Sequence, residues 1–116
     1  MKKFLMSFVY AFRGIFVTIK EERNIKIHLL AVIVVIIMGI IYKISRMEWM
    51  ICILLFGLVI SSELINTAIE NAVDLVTTEE NKLAKIAKDA AAGAVLINAI
   101  ISVIIAGIIW IPKIII

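Results

Sequence analysis

The chain has 116 residues, of which 64% are hydrophobic, and a net charge of +3; its mean hydropathy is +1.15. A soluble globular domain is roughly half apolar, so these values exclude one and mark a single-domain integral membrane protein. There is no room for a separate catalytic domain, and no basic run interleaved with aromatics suggests a nucleic-acid partner; the modest positive charge suits anionic lipid headgroups.

In chain order, residues 1–25 come first. Met1-Lys2-Lys3 ahead of apolar residues has the outline of a signal peptide. Arg13 interrupts that stretch and no small-residue cleavage site precedes Lys20, so the segment is read as part of the fold. Phe4, Phe8, Phe12, Ile15 and Ile19 recur every three or four residues among Lys3, Tyr10, Arg13 and Lys20. That spacing predicts an amphipathic helix lying at the membrane interface. A polar knot, Glu21-Glu22-Arg23-Asn24, follows.

The first span is expected over residues 27–43, with His28 as an interfacial histidine near its start and Lys26 and Lys43 snorkelling at its ends. Lys43-Ile44-Ser45-Arg46 forms the next turn. The second span, residues 48–76, starts with Trp49 at interfacial depth. At 1.5 Å per residue it runs about 42 Å, longer than the ~30 Å hydrocarbon core, so its polar end projects into the headgroup region. Residues 77–82 read as a loop in which Thr77 or Thr78 can cap the following helix. The third span, residues 83–112, contains the small-residue run Ala90-Ala91-Ala92-Gly93-Ala94, which lets helices approach closely in lipid. Pro112 is expected to break it. Cys52, the only cysteine, sits in an apolar run and reads as a small buried hydrophobe. Nothing shows the repeated alternation of a barrel, so the fold class is all-α: three transmembrane helices plus an N-terminal interfacial helix.

The second span carries an unusual stripe. At 100° per residue, Glu63, Asn66, Glu70 and Asp74 fall at about 0°, −60°, −20° and +20°, lining one narrow face of a largely apolar helix. Ionisable groups in such a place usually face a bundle interior or aqueous cavity. The alternative is that the helix simply leaves the membrane there. Lysine and arginine counts set the expected orientation. Lys2, Lys3, Arg13, Lys20, Arg23, Lys26, Lys82, Lys85 and Lys88 lie on one side, against Lys43, Arg46 and Lys113 on the other. The positive-inside rule places the first set, and the stripe with it, on the cytoplasmic side where ATP is available.

Three polar clusters meet at that face: Glu21 and Glu22, the stripe, and Lys88-Asp89. Mg²⁺ typically takes one or two carboxylates plus substrate phosphates. A neighbouring lysine neutralises phosphate charge, and a carboxylate at the membrane boundary can serve as general base. Phosphoryl transfer needs little beyond such positioning. No GxxxxGK[ST] or GxGxxG loop is present, which excludes a soluble-kinase fold. A metal–phosphate site and a salt-bridged helix bundle both remain compatible with the spacing. A cation-coupled transporter would hold its carboxylates near the bilayer midplane, whereas these cluster at one end.

The string Glu63-Leu64-Ile65-Asn66-Thr67-Ala68-Ile69-Glu70-Asn71-Ala72-Val73-Asp74 and the later Ala87-Lys88-Asp89-Ala90-Ala91-Ala92-Gly93-Ala94-Val95 resemble the prokaryotic diacylglycerol kinase family. Met47-Glu48-Trp49-Met50 and Pro112-Lys113 favour its Gram-positive branch, the undecaprenol kinases. The resemblance runs from Phe8 to Lys113. It implies a homotrimer in the cytoplasmic membrane with active sites shared between neighbours, using ATP and Mg²⁺. The lipid acceptor it implies is undecaprenol, with diacylglycerol as the alternative. By resemblance, Glu63 is the general base on the lipid hydroxyl and Asn66 orients the reacting groups. Glu22 and Glu70 match the acidic residues on Mg²⁺, and Lys88 and Asp89 the pair at the nucleotide. Tyr10, Glu79 and Asn81 fall where the family contacts ATP, although the 79–81 loop differs in composition from better-known members. The resemblance gives Asp74 no role in the chemistry, and its place at the helix end suits a structural one. A non-enzymatic relative retaining the fold would be expected to lose these groups, and all are present.

Overall fold

The computed structural model describes residues 1–115. They form four helices: α1 (Lys2–Glu21), α2 (Arg23–Ile41), α3 (Arg46–Val76) and α4 (Lys82–Ile115). The last three are long and apolar enough to cross a membrane. α3 lies between α2 and α4 and contacts both.

α1 has no buried residue, and Phe4, Phe8, Phe12 and Phe16 are all exposed. The molecule measures 54 × 42 × 21 Å. Three helices side by side at about 8–10 Å spacing fill less than the second dimension, so α1 projects sideways from the bundle. The polar knot reduces to a break of one residue. Glu22 is extended (φ −96°, ψ 128°) and its N–H still reaches the Thr18 carbonyl.

The turn between α2 and α3 is tight for identifiable reasons. Lys43 takes a left-handed conformation, φ 50°. Its N–H bonds the Ile40 carbonyl while that of Ile44 bonds the Gly39 carbonyl, the paired arrangement that closes a helix C-terminus. A side chain in that region costs roughly 1 kcal/mol relative to glycine; here burial of the following Ile44 accompanies it. α3 then opens with a reciprocal cap: Ser45 Oγ accepts from the Glu48 N–H at 3.1 Å, and Glu48 Oε1 accepts from the Ser45 N–H at 2.9 Å.

The apolar cluster Ile44, Cys52, Ile109 and Trp110 fills this end of the bundle, and Cys52 is indeed a buried free thiol. Trp110 Nε1 donates to the Met38 carbonyl at 3.4 Å, tying α4 to α2. Lys113 Nζ reaches Glu48 Oε2 at 2.9 Å and the Ile109 carbonyl at 3.1 Å.

Two sequence expectations need correction. Pro112 does not break the third span; it lies inside α4, which continues to Ile115. Proline removes one N–H bond, but so near the helix end little depends on it, and Lys113 is anchored from both sides. The cap on α4 is Asn81, not a threonine: its Oδ1 accepts from the N–H groups of Leu83 at 2.9 Å and Ala84 at 3.2 Å. Asn81 stands immediately before the first helical residue, where a cap must sit. Thr77 Oγ1 instead accepts from the Glu79 N–H, folding the loop onto itself.

Candidate active site

The buried residues of α3 are Cys52, Val59, Glu63, Asn66 and Thr67, one helical face whose chemistry changes halfway along. Its first part packs as ordinary apolar core; its second buries a carboxylate and a carboxamide. The stripe is therefore graded rather than uniform. Glu63 is 2% and Asn66 5% exposed, Glu70 is half-buried and Asp74 exposed. α2 supplies the cover: Ile25 is fully buried, and His28, three residues on along the same face, is half-buried.

Glu63 is not alone in this pocket. His28 Nε2 lies 3.6 Å from Glu63 Oε2, too far for a hydrogen bond but well within electrostatic reach. Glu70 and Glu22 lie within electrostatic reach of it, and α2 meets α3 at this buried carboxylate through His28. One turn further, Asn66 Nδ2 donates to Glu70 Oε1 at 2.7 Å. Its other end, Oδ1, is buried without a partner. An orphaned acceptor of this kind costs about 1–3 kcal/mol and is an open hydrogen-bonding position beside Glu63.

A second polar group lies beyond the first. Lys88 of α4 pairs with Asp74 of α3, so Asp74 joins the two helices at the end of the stripe. Lys85 pairs with Asp89 at 2.9 Å along α4. Residues 77–82 with Lys85, Lys88 and Asp89 line an open polar groove of about 710 Å³, a size typical of small-molecule sites. Glu79, Asn81, Lys88 and Asp89 thus come together, and Asp74 joins this groove to the helix that bears Glu63. Tyr10 does not join either group through a direct contact; its exposed ring lies beneath the Arg13 guanidinium, 5.6 Å from centroid to Cζ.

Sequence reasoning treated His28 as interfacial and missed its approach to Glu63. A signal was present: the start of the first span and the end of the second lie on the same membrane side. An ionisable residue inside each should seek the other rather than lipid.

Comparisons with known proteins give the same direction. A family model, prokaryotic diacylglycerol kinase, matches residues 9–110. The chain is 50% identical over 113 residues to a protein named undecaprenol kinase from Bacillus subtilis, covering 97% of this chain and 92% of that one. It is 39% identical over 109 residues to a protein named diacylglycerol kinase from Synechocystis, covering 93% of this chain but 62% of the relative's length.

Proposed function

The chain belongs to the prokaryotic diacylglycerol kinase family, and from that premise we propose that it transfers the γ-phosphoryl group of ATP to the terminal hydroxyl of undecaprenol. The observation that carries this reading is the buried carboxylate of Glu63 on a membrane-length helix whose end leads into a polar groove lined by three lysines. The 50% identity to an undecaprenol kinase favours the polyprenol acceptor.

In this reading Glu63 takes the proton from the lipid hydroxyl. The freed oxygen forms a bond to the γ-phosphorus as the bond to the bridging oxygen of ADP breaks, giving lipid phosphate and ADP. Asn66 orients the reacting groups through its unpartnered Oδ1 while its amide holds Glu70. Lys88 exchanges Asp74 for nucleotide phosphate when ATP enters the groove, with Asp89, Glu79, Asn81 and Tyr10 contributing nucleotide contacts.

Among the described residues no three of His, Cys, Asp and Glu converge as a ready metal group. That suits a Mg²⁺ ion completed by substrate phosphates, since such ions need only one or two protein carboxylates. Glu22 and Glu70, both oxygen donors near Glu63, fit it and would hold it. When bound, the ion supplies neutralisation of phosphate charge.

The homotrimer is part of the same proposal. The bundle leaves most of α2 and α4 uncovered, and Gly93 in the small-residue run has no neighbour within 4 Å of where a Cβ would sit, leaving room for another helix. The distribution of lysine and arginine supports a cytoplasmic N-terminus and groove, and the amphipathic pattern of α1 supports its lying at the interface.

The test is a side-by-side assay of purified protein with undecaprenol and diacylglycerol under Mg²⁺-ATP. Preferential phosphorylation of undecaprenol is expected. Preference for diacylglycerol would favour the second reading, a kinase making phosphatidic acid, which the 39% identity to a diacylglycerol kinase supports. Lack of turnover with either lipid would overturn both.

A further inference from the structure

Among the described residues, His28 is the basic side chain that approaches Glu63 from another span. It extends from α2 while the carboxylate belongs to α3, and its Nε2 faces Oε2 at 3.6 Å. The Glu63 side chain is 2% exposed, so water contributes little to holding it. Its other charged neighbours, Glu70 and Glu22, repel it. Asn66, the adjacent polar group on α3, donates one amide N–H to Glu70 at 2.7 Å, and the second is available to Glu63 from the same helix. The imidazole is the group that can restrain the Glu63 carboxylate from across the helix interface, fixing its rotamer relative to α2. On its other side His28 lines an apolar cavity of about 190 Å³ between α2, α3 and α4, shared with Ala31, Val32, Cys52, Val59 and Ala99. The imidazole therefore stands between the carboxylate and the bundle's apolar interior.

We propose that His28 is a positioning residue for Glu63: its Nε2–H holds Oε2, which leaves Oε1 directed at the lipid hydroxyl. A buried base must be oriented by a third group to meet its proton within hydrogen-bond reach. A small closing movement brings the 3.6 Å separation to that reach. The proposal rests on the kinase reading for its catalytic consequence, but the contact itself is independent of it.

His28 is the only histidine in the sequence, so its imidazole nitrogens give the only histidine side-chain signals in a ¹⁵N spectrum of this chain. In Glu63→Gln these resonances are expected to move, and in Glu70→Gln to stay close to wild type. In kinetics, His28→Ala lowers kcat by about tenfold or more with the KM for ATP unchanged. His28→Gln, which retains an N–H donor of similar reach, keeps most of the activity. Added imidazole partly restores His28→Ala, since the adjoining cavity has room for it. Unmoved resonances in Glu63→Gln would overturn the proposal, as would a wild-type kcat in His28→Ala. A fall confined to thermal stability, with no rescue by glutamine or imidazole, would also overturn it. If the wild type phosphorylates no lipid alcohol, the kinase reading fails, and the spectrum still decides the His28–Glu63 contact.

Discussion

Glu63, Asn66 and Glu70 occupy successive turns of one face, yet they experience different surroundings, and each supports a different expectation. Glu63→Gln preserves shape and removes the basic oxygen. Turnover should fall by about 10²–10⁴-fold, the usual contribution of a general base, while ATP binding and thermal stability remain close to wild type. Lipid phosphorylation and nucleotide-binding assays on one preparation check this, and wild-type-like turnover would remove Glu63 from its role. Asn66→Ala should release Glu70 from its 2.7 Å hydrogen bond. The expected result is a raised Mg²⁺ requirement at unchanged lipid KM, measured by Mg²⁺ titration of activity. An unchanged requirement would show that Asn66 does not hold Glu70 in place for a metal. Lys88 and Asp74 are paired but only half-buried and exposed, so their pair contributes little stability; its interest is that nucleotide phosphate can replace Asp74.

At the scale of elements, the ends of the helices are held by local devices, and these are separable from the chemistry. Gly39 lies beneath the Trp49 ring, and a Cβ there would sit 2.6 Å from Trp49 Cη2 and 2.7 Å from Cζ2. Gly39→Ala must displace the indole and is expected to cost about 1–3 kcal/mol, as overpacking usually does. Thermal unfolding should register it, with kcat preserved at low temperature because the carboxylates lie at the other end of the bundle. Asn81 separates two roles. Asn81→Asp still caps α4 and should keep stability, whereas Asn81→Ala should lose about 1 kcal/mol. Equal KM for ATP in all three proteins would argue against a nucleotide contact by this residue. The length of α3 links these ends: its 31 residues reach about 46 Å at 1.5 Å per residue. One end packs in the apolar cluster and the other carries the carboxylates clear of it.

For the whole molecule, orientation is the consequence easiest to examine. Cys52 is buried, so a single introduced thiol dominates labelling by a membrane-impermeant reagent. Thr78→Cys should react only in inside-out vesicles and Arg46→Cys only in right-side-out ones. The reverse pattern would place the groove away from cytoplasmic ATP and defeat the proposed reaction.

Helix type and number followed from the sequence alone, because hydropathy and a 3.6-residue period are local properties of the chain. The polar stripe was legible for the same reason, since four residues spaced by three and four must share a face. The motif around Glu63 and Lys88 is enough by itself to point to the family. What tertiary structure decided was which neighbours those residues meet. His28 approaching Glu63, Lys88 pairing with Asp74 and Trp110 bonding Met38 each join different helices, and register between helices depends on packing that no local pattern encodes. Pro112 and Asn81 show the same limit at closer range, where a helix end is settled by its partners as well as by its own residues. The stripe that periodicity presents as uniform becomes a gradient from buried Glu63 to exposed Asp74, because α2 and the end of α1 cover only its inner half.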